Sequence, residues 1–477
     1  MCYTVGEKRQ KGEDSLLDEK LTARVLEEAL SRGADFSEVF YEDTESNVVT
    51  LTDLAVEDAV FSRKCGVGIR VARGVLTAYA TTADLSEQAL LSAARAAAAA
   101  LDEAAAGHIA TANAPRHYGP KTDRAFFDVD NDARVRLVRE MARAAKAQSE
   151  KIVQTTGSYS DTLQRVFVAN SDGLRAFDVR PRTRVRISAV AGDGTSTQTG
   201  GESPGYGKGF DAWREFDAEG YGKAAAIQAL VMLDAPECPA GTAPVVIGNG
   251  FGGVIFHEAC GHALEATAVA RGASVFAGKL GEKIASDCVT AVDDGSLEGQ
   301  WGSVGMDDEG HPSMRNVLIE NGVLKGYLID GINARRMHAA PTGSSRRQGY
   351  EIAPTSRMTT TVIAPGTDSI PEMIATMGEG LYAKKMGGGS VNPMTGEFNF
   401  AVLEGYWVRD GKILRPVRGA TLIGRGAEVL KKIDRVADDF MLGQGMCGSI
   451  SGSIPVNVGQ PTIRVESMII GGKGGAM

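Results

Sequence analysis

Hydrophobic and polar positions recur with two different periods in the first half of the chain. Apolar residues recur at helical spacing from about Leu16 to Arg32, ahead of Gly33, which predicts a helix with a glycine C-cap. Segments of Val, Thr and aromatic residues, separated by turn residues, follow over 39–82 and predict a set of short strands. The sequence Asp84-Leu-Ser-Glu87 predicts a capping box that opens an alanine-rich helix.

The same two patterns continue to the middle of the chain and then give way to strands. We predict helices at about 132–150 and 218–234 and strands at 152–168 and 174–192, with Ser171-Asp-Gly173 as the turn between the strands. The segment DAPECPAGTAP, with three prolines, predicts a linker. Beyond it, Glu320-Asn-Gly322 and Arg409-Asp-Gly411 each lie between alternating apolar runs and predict hairpins.

These patterns predict an α+β fold with two domains. We expect a disordered N-terminus over 1–15 and an N-terminal α/β domain over 16–233, with short sheets and long helices. A linker over 234–244 then leads to a β-rich C-terminal domain over 245–477, which carries the histidine helix described below.

Composition narrows the class of protein. The chain has 477 residues, a net charge of −9 and a pI near 5.4, which argues against nucleic acid or an anionic membrane as partner. Its six cysteines show no regular spacing, as expected of reduced thiols in a cytoplasmic protein. No segment reaches the roughly 18 apolar residues that span a bilayer, and the polar N-terminus has no apolar signal core.

The segment IFHEACGHALE, residues 255–265, places two of the six histidines around a glutamate. His257 and His262 are five positions apart, one more than in the zinc-peptidase motif His-Glu-x-x-His. On a regular α-helix such positions point about 140° apart, whereas a π-bulge brings them onto one face. We therefore predict a distortion near Gly261, where the backbone would have to yield, with both histidines on one metal. The alternative is two buried, hydrogen-bonded core histidines.

Two histidines leave a catalytic metal site incomplete, because such sites usually have three protein ligands and one open position. Cys447 is the stronger candidate for the third ligand, since the glycines around it in GQGMCGSISGS allow close approach to a metal. Cys260 is more typical of a small buried residue, and a buried thiol is also the alternative for Cys447. A His₂Cys set favours zinc or a similar metal. Glu258, which follows His257, is the candidate general base.

A glycine pattern directly upstream matches a dinucleotide-binding fingerprint when read literally. Gly248-x-Gly250-x-x-Gly253 lies between a predicted strand and a helix. The second strand with an acidic residue about 20 positions further on, which that fold requires, is missing. We therefore interpret these glycines as a tight turn that starts the histidine helix close to a sheet.

Two polar segments are candidates for contact with a substrate. Arg346, in APTGSSRRQGYEIAPTSRM, is a candidate clamp for a carboxylate or carbonyl group. Gly387, Gly388 and Gly389, in AKKMGGGSVNPMTGEFNF, form a run whose backbone can pair with an extended peptide by strand addition. The alternative for each segment is an ordinary surface loop.

Long ordered stretches resemble the TldD type of subunit in the TldD/PmbA (TldD/TldE) family of metallopeptidases. They include HEACGHALEA, GASVFAGKLGEKIAS, DDEGHPSMRNVLIENGVLKGYL, PTGSSRR, GGGSVNPMTGEFNF and CGSISGSIPVNVGQPTIRV. The resemblance implies that His257, His262 and Cys447 bind the metal, with zinc as the expected ion, and that Glu258 is the catalytic base. Where Cys260 stands, the family often has another small residue, so Cys260 stays an open competitor for the metal.

The resemblance also implies partners and substrates. A TldE/PmbA-like subunit that lacks the motif would form a heterodimer with this chain and enclose the site. Unstructured peptides, such as leader or precursor peptides and unfolded chains, would enter, and folded proteins would not. The leading hypothesis is therefore a zinc-dependent peptidase.

Two rival hypotheses use the same residues differently. One is a thiol hydrolase with Cys447 as nucleophile and a histidine as base, whose activity a chelator would spare. The other is a non-catalytic scaffold subunit of a TldD/TldE-like complex, which an intact motif argues against.

Overall fold

The first half of the computed structural model is built on one large, mainly antiparallel sheet. The structure describes residues 17–101, 109–119, 129–392 and 395–475; the N-terminus predicted to be disordered, 1–15, lies outside them. The strands of this sheet are β1 (Phe36–Thr52), β2 (Ala55–Arg73), β3 (Leu76–Thr82), β4 (Arg116–Tyr118), β5 (Ile152–Asn170), β6 (Arg175–Gly192), β7 (Thr197–Glu202) and β8 (Gly205–Tyr206). Their order is β3-β2-β1-β5-β6-β4, and β7 and β8 also pair with β6.

Helices cover one face of this sheet. They are α1 (Glu19–Leu30), α2 (Glu87–Ala99), α3 (Asn131–Lys146) and α4 (Ala218–Asp234). Helices α1 and α2 pack on Val39 and Phe167, and α3 and α4 pack on Val49 and Tyr159. Because residues an even number apart on a strand share a face, the two helix pairs lie side by side along the long strands.

The strands over 39–82 are much longer than predicted. Strand β1 has 17 residues and β2 has 19. Gly66 and Gly68 lie inside β2, where an added Cβ would overlap the ring of Tyr350 at Gly66 and the side chain of Tyr79 at Gly68. The α2 helix also differs, since its N-cap is Ser86, whose hydroxyl accepts from the Ala89 amide.

The other face of the sheet is lined with charged side chains that are buried against the second half of the chain. Arg180 donates to Asp308 at 2.6 Å, and Arg347 donates to Glu38 at 2.9 Å. All four side chains are almost completely buried. Removing one member of such a pair typically costs about 3–5 kcal/mol, because the other charge is left buried alone. These ion pairs therefore join the two halves firmly.

The second half contains two larger sheets. Its strands are β9 (Gly241–Ile247), β10 (Ala291–Asp294), β11 (Arg315–Glu320), β12 (Val323–Leu324), β13 (Ser345–Arg346), β14 (Thr355–Ser356), β15 (Thr360–Ile363), β16 (Gly380–Val391), β17 (Glu397–Arg409), β18 (Lys412–Val417), β19 (Thr421–Arg425), β20 (Ile433–Val436), β21 (Met441–Ser449), β22 (Gly452–Gln460) and β23 (Ile463–Gly471). One sheet has the order β12-β11-β10-β15-β22-β21, so that β21 is an edge strand. In the other, β16 pairs with both β9 and β17, which closes β16, β9, β23, β19 and β17 into a barrel.

Short helices connect these strands, and one apolar core joins both sheets. The helices are α5 (Val254–Phe256), α6 (Ala266–Val269), α7 (Gly331–Met337), α8 (Ile370–Ala375) and α9 (Gly426–Val429). The core runs from barrel residues such as Leu381 to Ile363 and Val458 of the open sheet, and it encloses the histidine segment. Among the described residues, no helix has both the length and the apolar character needed to cross a bilayer.

The α+β class and both predicted hairpins are confirmed. Asn321 and Gly322 have φ of 48° and 80°, and Asp410 and Gly411 have φ of 50° and 69°, as a type I′ turn requires. Strand β9 begins at Gly241, inside the segment predicted to be a linker.

Candidate metal centre

The histidine segment follows β9 through a tight glycine turn. Gly250 has a φ of +63°, and Gly253 lies so close to the backbone of Gly459 on β22 that a side chain would not fit. The glycines of the fingerprint-like pattern thus serve the close packing between strand and helix that the sequence analysis predicted.

The predicted distortion is present as a π-helical turn over His257–Gly261, between one α-helical turn and a 3₁₀ turn. Its wider spacing brings the two imidazoles to one side of the segment, with ring centroids 5.1 Å apart. The reason for Gly261 differs from our expectation. Its φ of −52° is open to any residue. An added Cβ would instead overlap the buried sulfur of Met358, so glycine is required for close packing.

Cys447 reaches the same point from the other end of the chain. It lies on the edge strand β21, and its Sγ is 3.2 Å from Nε2 of His257 and 3.2 Å from Nε2 of His262. The three donor atoms all lie within 4.8 Å of one another. The cysteine is only 3% exposed, so its sulfur is enclosed between the two rings.

The cluster favours a thiolate. Burial alone would raise the pKa of the Cys447 thiol, but the imidazoles of His257 and His262 lower this pKa to about 3. Burial would lower the pKa of His262, and the charges of Glu265 and Cys447 outweigh this and raise it. A thiolate is the form of cysteine that binds metals.

Glu258 lies on the side of the cluster that is partly open to solvent. Its Oε2 is 3.6 Å from Nε2 of His262, and its side chain is 23% exposed, against 10% for that of His262. A carboxylate beside the donor atoms, partly open to solvent, has the placement that a general base requires.

The arrangement fits a metal ion. Bonds of about 2.3 Å to sulfur and 2.0–2.1 Å to nitrogen separate the donors of a tetrahedral zinc site by roughly 3.5 Å, close to the two 3.2 Å separations. Both histidines present Nε2 to Cys447. Nδ1 of His262 is 3.0 Å from Glu265, whereas the buried Nδ1 of His257 has no hydrogen-bond partner among the described residues.

The other predicted site residues lie elsewhere. Cys260 is fully buried in the apolar core, where burial raises the pKa of its thiol, and it is not part of the donor cluster. Arg346 is 4% exposed and donates to the carbonyls of Met358 and Pro455, an arrangement that favours a structural role over a substrate clamp. Gly387, Gly388 and Gly389 lie on β16, and the last two are exposed.

A second group of metal-binding side chains, Asp307, Glu309 and His311, differs in that its oxygen atoms already have partners. Asp307 accepts from the amides of Glu309, His311 and Ser345, and Glu309 pairs with Arg70 at 2.6 Å. A buried arginine in contact with a carboxylate opposes the binding of a cation there.

Three residues next to the cluster were not predicted from the sequence: Glu265, Arg357 and Met358. Glu265 stands three positions after His262, a spacing at which helical side chains meet, so the motif itself held that information. Nothing in the sequence pattern singled out Arg357 or Met358.

Family models and curated relatives match the chain over most of its length. The PmbA/TldA metallopeptidase models match in chain order: domain 1 over 37–101, the central domain over 124–233 and the C-terminal domain over 240–472. A protein described as a metalloprotease TldD homolog from Haemophilus influenzae is 35% identical, covering 92% of this chain and 94% of its own. A protein of the same description from Buchnera aphidicola, subspecies Acyrthosiphon pisum, is 32% identical, covering 94% and 95%.

Solved structures share the fold at lower sequence identity. A putative modulator of a DNA gyrase from Thermotoga maritima has a TM-score of 0.78 at 21% identity, covering 95% of this chain and 100% of its own. TldE from Thermococcus kodakarensis has a TM-score of 0.74 at 20% identity, covering 92% and 97%.

The donor cluster and the metalloprotease relatives together define a metal-dependent peptidase. Because three consecutive family models and relatives matching almost the whole chain agree, the chain belongs to the PmbA/TldD family of metallopeptidases.

Proposed function

We propose that the protein is a zinc peptidase in which His257, His262 and Cys447 hold the metal and Glu258 is the general base. The observation that carries this proposal is the convergence of two imidazole nitrogens and a thiolate sulfur beside one partly exposed carboxylate. A neutral His₂ pair with a thiolate suits zinc, and three ligands leave a position for chemistry.

In this mechanism the chain supplies position and proton transfer. When bound, the metal acts as a Lewis acid that polarises the peptide carbonyl and makes water more acidic. Glu258 accepts the proton of the attacking water and passes it to the leaving amine nitrogen. Burial of His257 and Cys447 keeps bulk water away from the donor atoms, which strengthens the electrostatic interactions there.

We propose unstructured peptides, such as leader or precursor peptides and unfolded chains, as substrates, with the protein acting in the cytoplasm. A TldE/PmbA-like subunit is the proposed partner in a heterodimer. Likeness to a solved TldE supports a shared fold, on which such a pair could be built. Gly388 and Gly389, exposed on β16, remain candidates for pairing with an extended peptide.

Elemental analysis of protein purified without chelators tests the centre. We expect stoichiometric zinc in the wild type and in Cys260→Ala, and loss of the metal in Cys447→Ala. Cys260 is the matched control because it is also a buried cysteine and lies between the two histidines in the sequence. Retention of zinc by Cys447→Ala would remove Cys447 from the ligand set.

The same geometry supports one alternative function. A thiolate 3.2 Å from an imidazole nitrogen is also the nucleophile and base pair of a thiol hydrolase. The almost complete burial of Cys447 favours the role of metal ligand, because a nucleophile must reach the substrate carbonyl. Peptide cleavage that survives a chelator and is lost in Cys447→Ala would favour the hydrolase. Absence of both metal and cleavage in the assembled complex would favour a scaffold subunit.

A further inference from the structure

The imidazole of His262 has a buried partner on the side away from Cys447. Oε1 of Glu265 lies 3.0 Å from Nδ1 of His262, and Glu265 is 5% exposed. If Nε2 faces a metal, Nδ1 carries the ring proton and donates it to this carboxylate. Such a hydrogen bond sets both the tautomer and the orientation of the ring.

Arg357 connects this carboxylate to the strand that bears the cysteine. Its Nη2 donates to the carbonyl oxygen of Cys447 at 2.6 Å, and its Nη1 donates to Ser451 and Gly452 in the following turn. Its Nε, which has no hydrogen-bond partner among the described residues, lies 3.9 Å from Glu265. The guanidinium is fully buried, and Glu265 is the carboxylate that it meets, at 3.9 Å.

The residues on either side of Arg357 hold the same two elements. Ser356 accepts a hydrogen bond from the amide of Thr267, just beyond the histidine segment, at 3.0 Å. Met358 fills the space that Gly261 leaves open. Arg346 donates to the Met358 carbonyl at 3.0 Å and to Pro455 on β22 at 2.8 Å. The segment 356–358 therefore contacts the histidine segment directly and is tied to the β21–β22 hairpin.

We propose that Glu265 and Arg357 are positioning residues of the metal centre, an inference that rests on the proposed function. Glu265 orients His262, and Arg357 fixes the backbone of Cys447 relative to that histidine. Because the ligands come from elements far apart in the sequence, their spacing depends on contacts that span both elements. The planar guanidinium, with donors on several sides, makes such contacts where a single ammonium cannot.

The test compares Glu265→Gln, Glu265→Ala and Arg357→Lys with the wild-type chain, using zinc affinity from competition with a chromogenic chelator. We expect Glu265→Ala and Arg357→Lys to bind zinc about 10–100-fold more weakly, the usual effect of losing a partner behind a metal ligand. Glu265→Gln keeps an acceptor for the Nδ1 proton, so its loss should be smaller than that of the alanine variant.

A spectroscopic signature separates positioning from general stability. Cobalt(II) substitution reports the Cys447 thiolate through its charge-transfer band, which should shift in Arg357→Lys. Arg134→Lys is the matched control, because Arg134 is also buried and pairs with an aspartate, Asp161, in the first half of the chain. It should leave zinc affinity and the cobalt spectrum unchanged.

The outcomes separate this inference from the proposed function. A wild-type chain that binds no zinc overturns the metal centre itself. Wild-type zinc affinity in both Glu265→Ala and Arg357→Lys overturns the positioning roles and leaves the centre intact. The same conclusion follows if the Arg134→Lys control binds zinc as weakly as these two variants. If Arg357→Lys does not fold, the two Glu265 variants decide. Weaker zinc binding by Glu265→Ala, partly restored in Glu265→Gln, supports the inference. Zinc affinity equal to that of the wild type in both variants overturns it.

Discussion

Replacing Gly261 with alanine tests whether close packing against Met358 holds the π-helical turn in place. The added Cβ would overlap the Met358 sulfur and stand 3.0 Å from its terminal carbon, Cε, where carbon atoms normally stay about 3.5–4.0 Å apart. Met358 is completely buried, so its side chain cannot swing into solvent to make room. The histidine turn or the 356–358 segment must therefore shift.

Two opposing effects set the size of the change. Overpacking a well-filled core costs about 1–3 kcal/mol. Alanine also gains up to about 1 kcal/mol over glycine in helical conformation, because Gly261 has a φ of −52°. The net loss from Gly261→Ala alone thus lies between zero and about 3 kcal/mol, too wide a range for a decisive test.

A double-mutant cycle with Met358→Ala isolates the overlap. The propensity gain occurs with either residue at 358 and cancels, so the coupling energy reports the steric conflict alone. Native-state hydrogen exchange of peptides covering 254–266 measures the local opening free energy without requiring the whole chain to unfold in one step. We expect a coupling energy of about 1–3 kcal/mol. The double variant should lose less opening free energy than the two single variants lose when their losses are added. A coupling below about 0.5 kcal/mol would refute the steric role of Gly261.

Three further measurements address charge, catalysis and metal. Burial opposes protonation of His311, but Asp307 and Glu309 raise its pKa from 6.5 to about 9. The contribution of protonated His311 to the stability of the folded state is thus complete below pH 6.5 and is lost as pH rises through about 9. The Tm of the metal-free protein should fall across that window, and His311→Gln should flatten the fall; an unchanged slope would contradict this. Glu258→Gln should keep its zinc and lower peptide cleavage by about 10²–10⁴-fold, and undiminished cleavage would exclude Glu258 as the base. Removing the metal with a chelator should lower Tm, since a ligand at 100 times its Kd stabilises the native state by about 2.7 kcal/mol; an unchanged Tm would count against the centre.

Local sequence patterns predicted the elements whose geometry depends on residues close together in the sequence. The hairpins at Asn321-Gly322 and Asp410-Gly411 follow from residues that tolerate positive φ. The π-helical turn follows from the five-residue spacing of His257 and His262, because a regular helix would separate their rings.

Contacts between segments far apart in the sequence could not be predicted from local patterns. Glycine is typical of turns, yet Gly66 and Gly68 lie within β2, packed closely against Tyr350 and Tyr79. Arg346 resembles a surface clamp, yet the second half of the chain buries it. No local pattern shows that the arginines of β6 are buried, yet Arg180, Arg182 and Arg184 are, and Arg180 pairs with Asp308, 128 residues further along the chain.

The proposed ligands leave the ribosome at very different times. His257 and Cys447 are 190 positions apart. At about 5–20 residues per second, roughly 10–40 s of synthesis separate the two. A nascent chain that has made both histidines therefore still lacks the thiolate until the β21–β22 hairpin that presents it has been synthesised. Under this ligand assignment the peptidase centre is completed only after Cys447 has been synthesised, so a nascent chain that has not reached Cys447 cannot cut its unfolded neighbours.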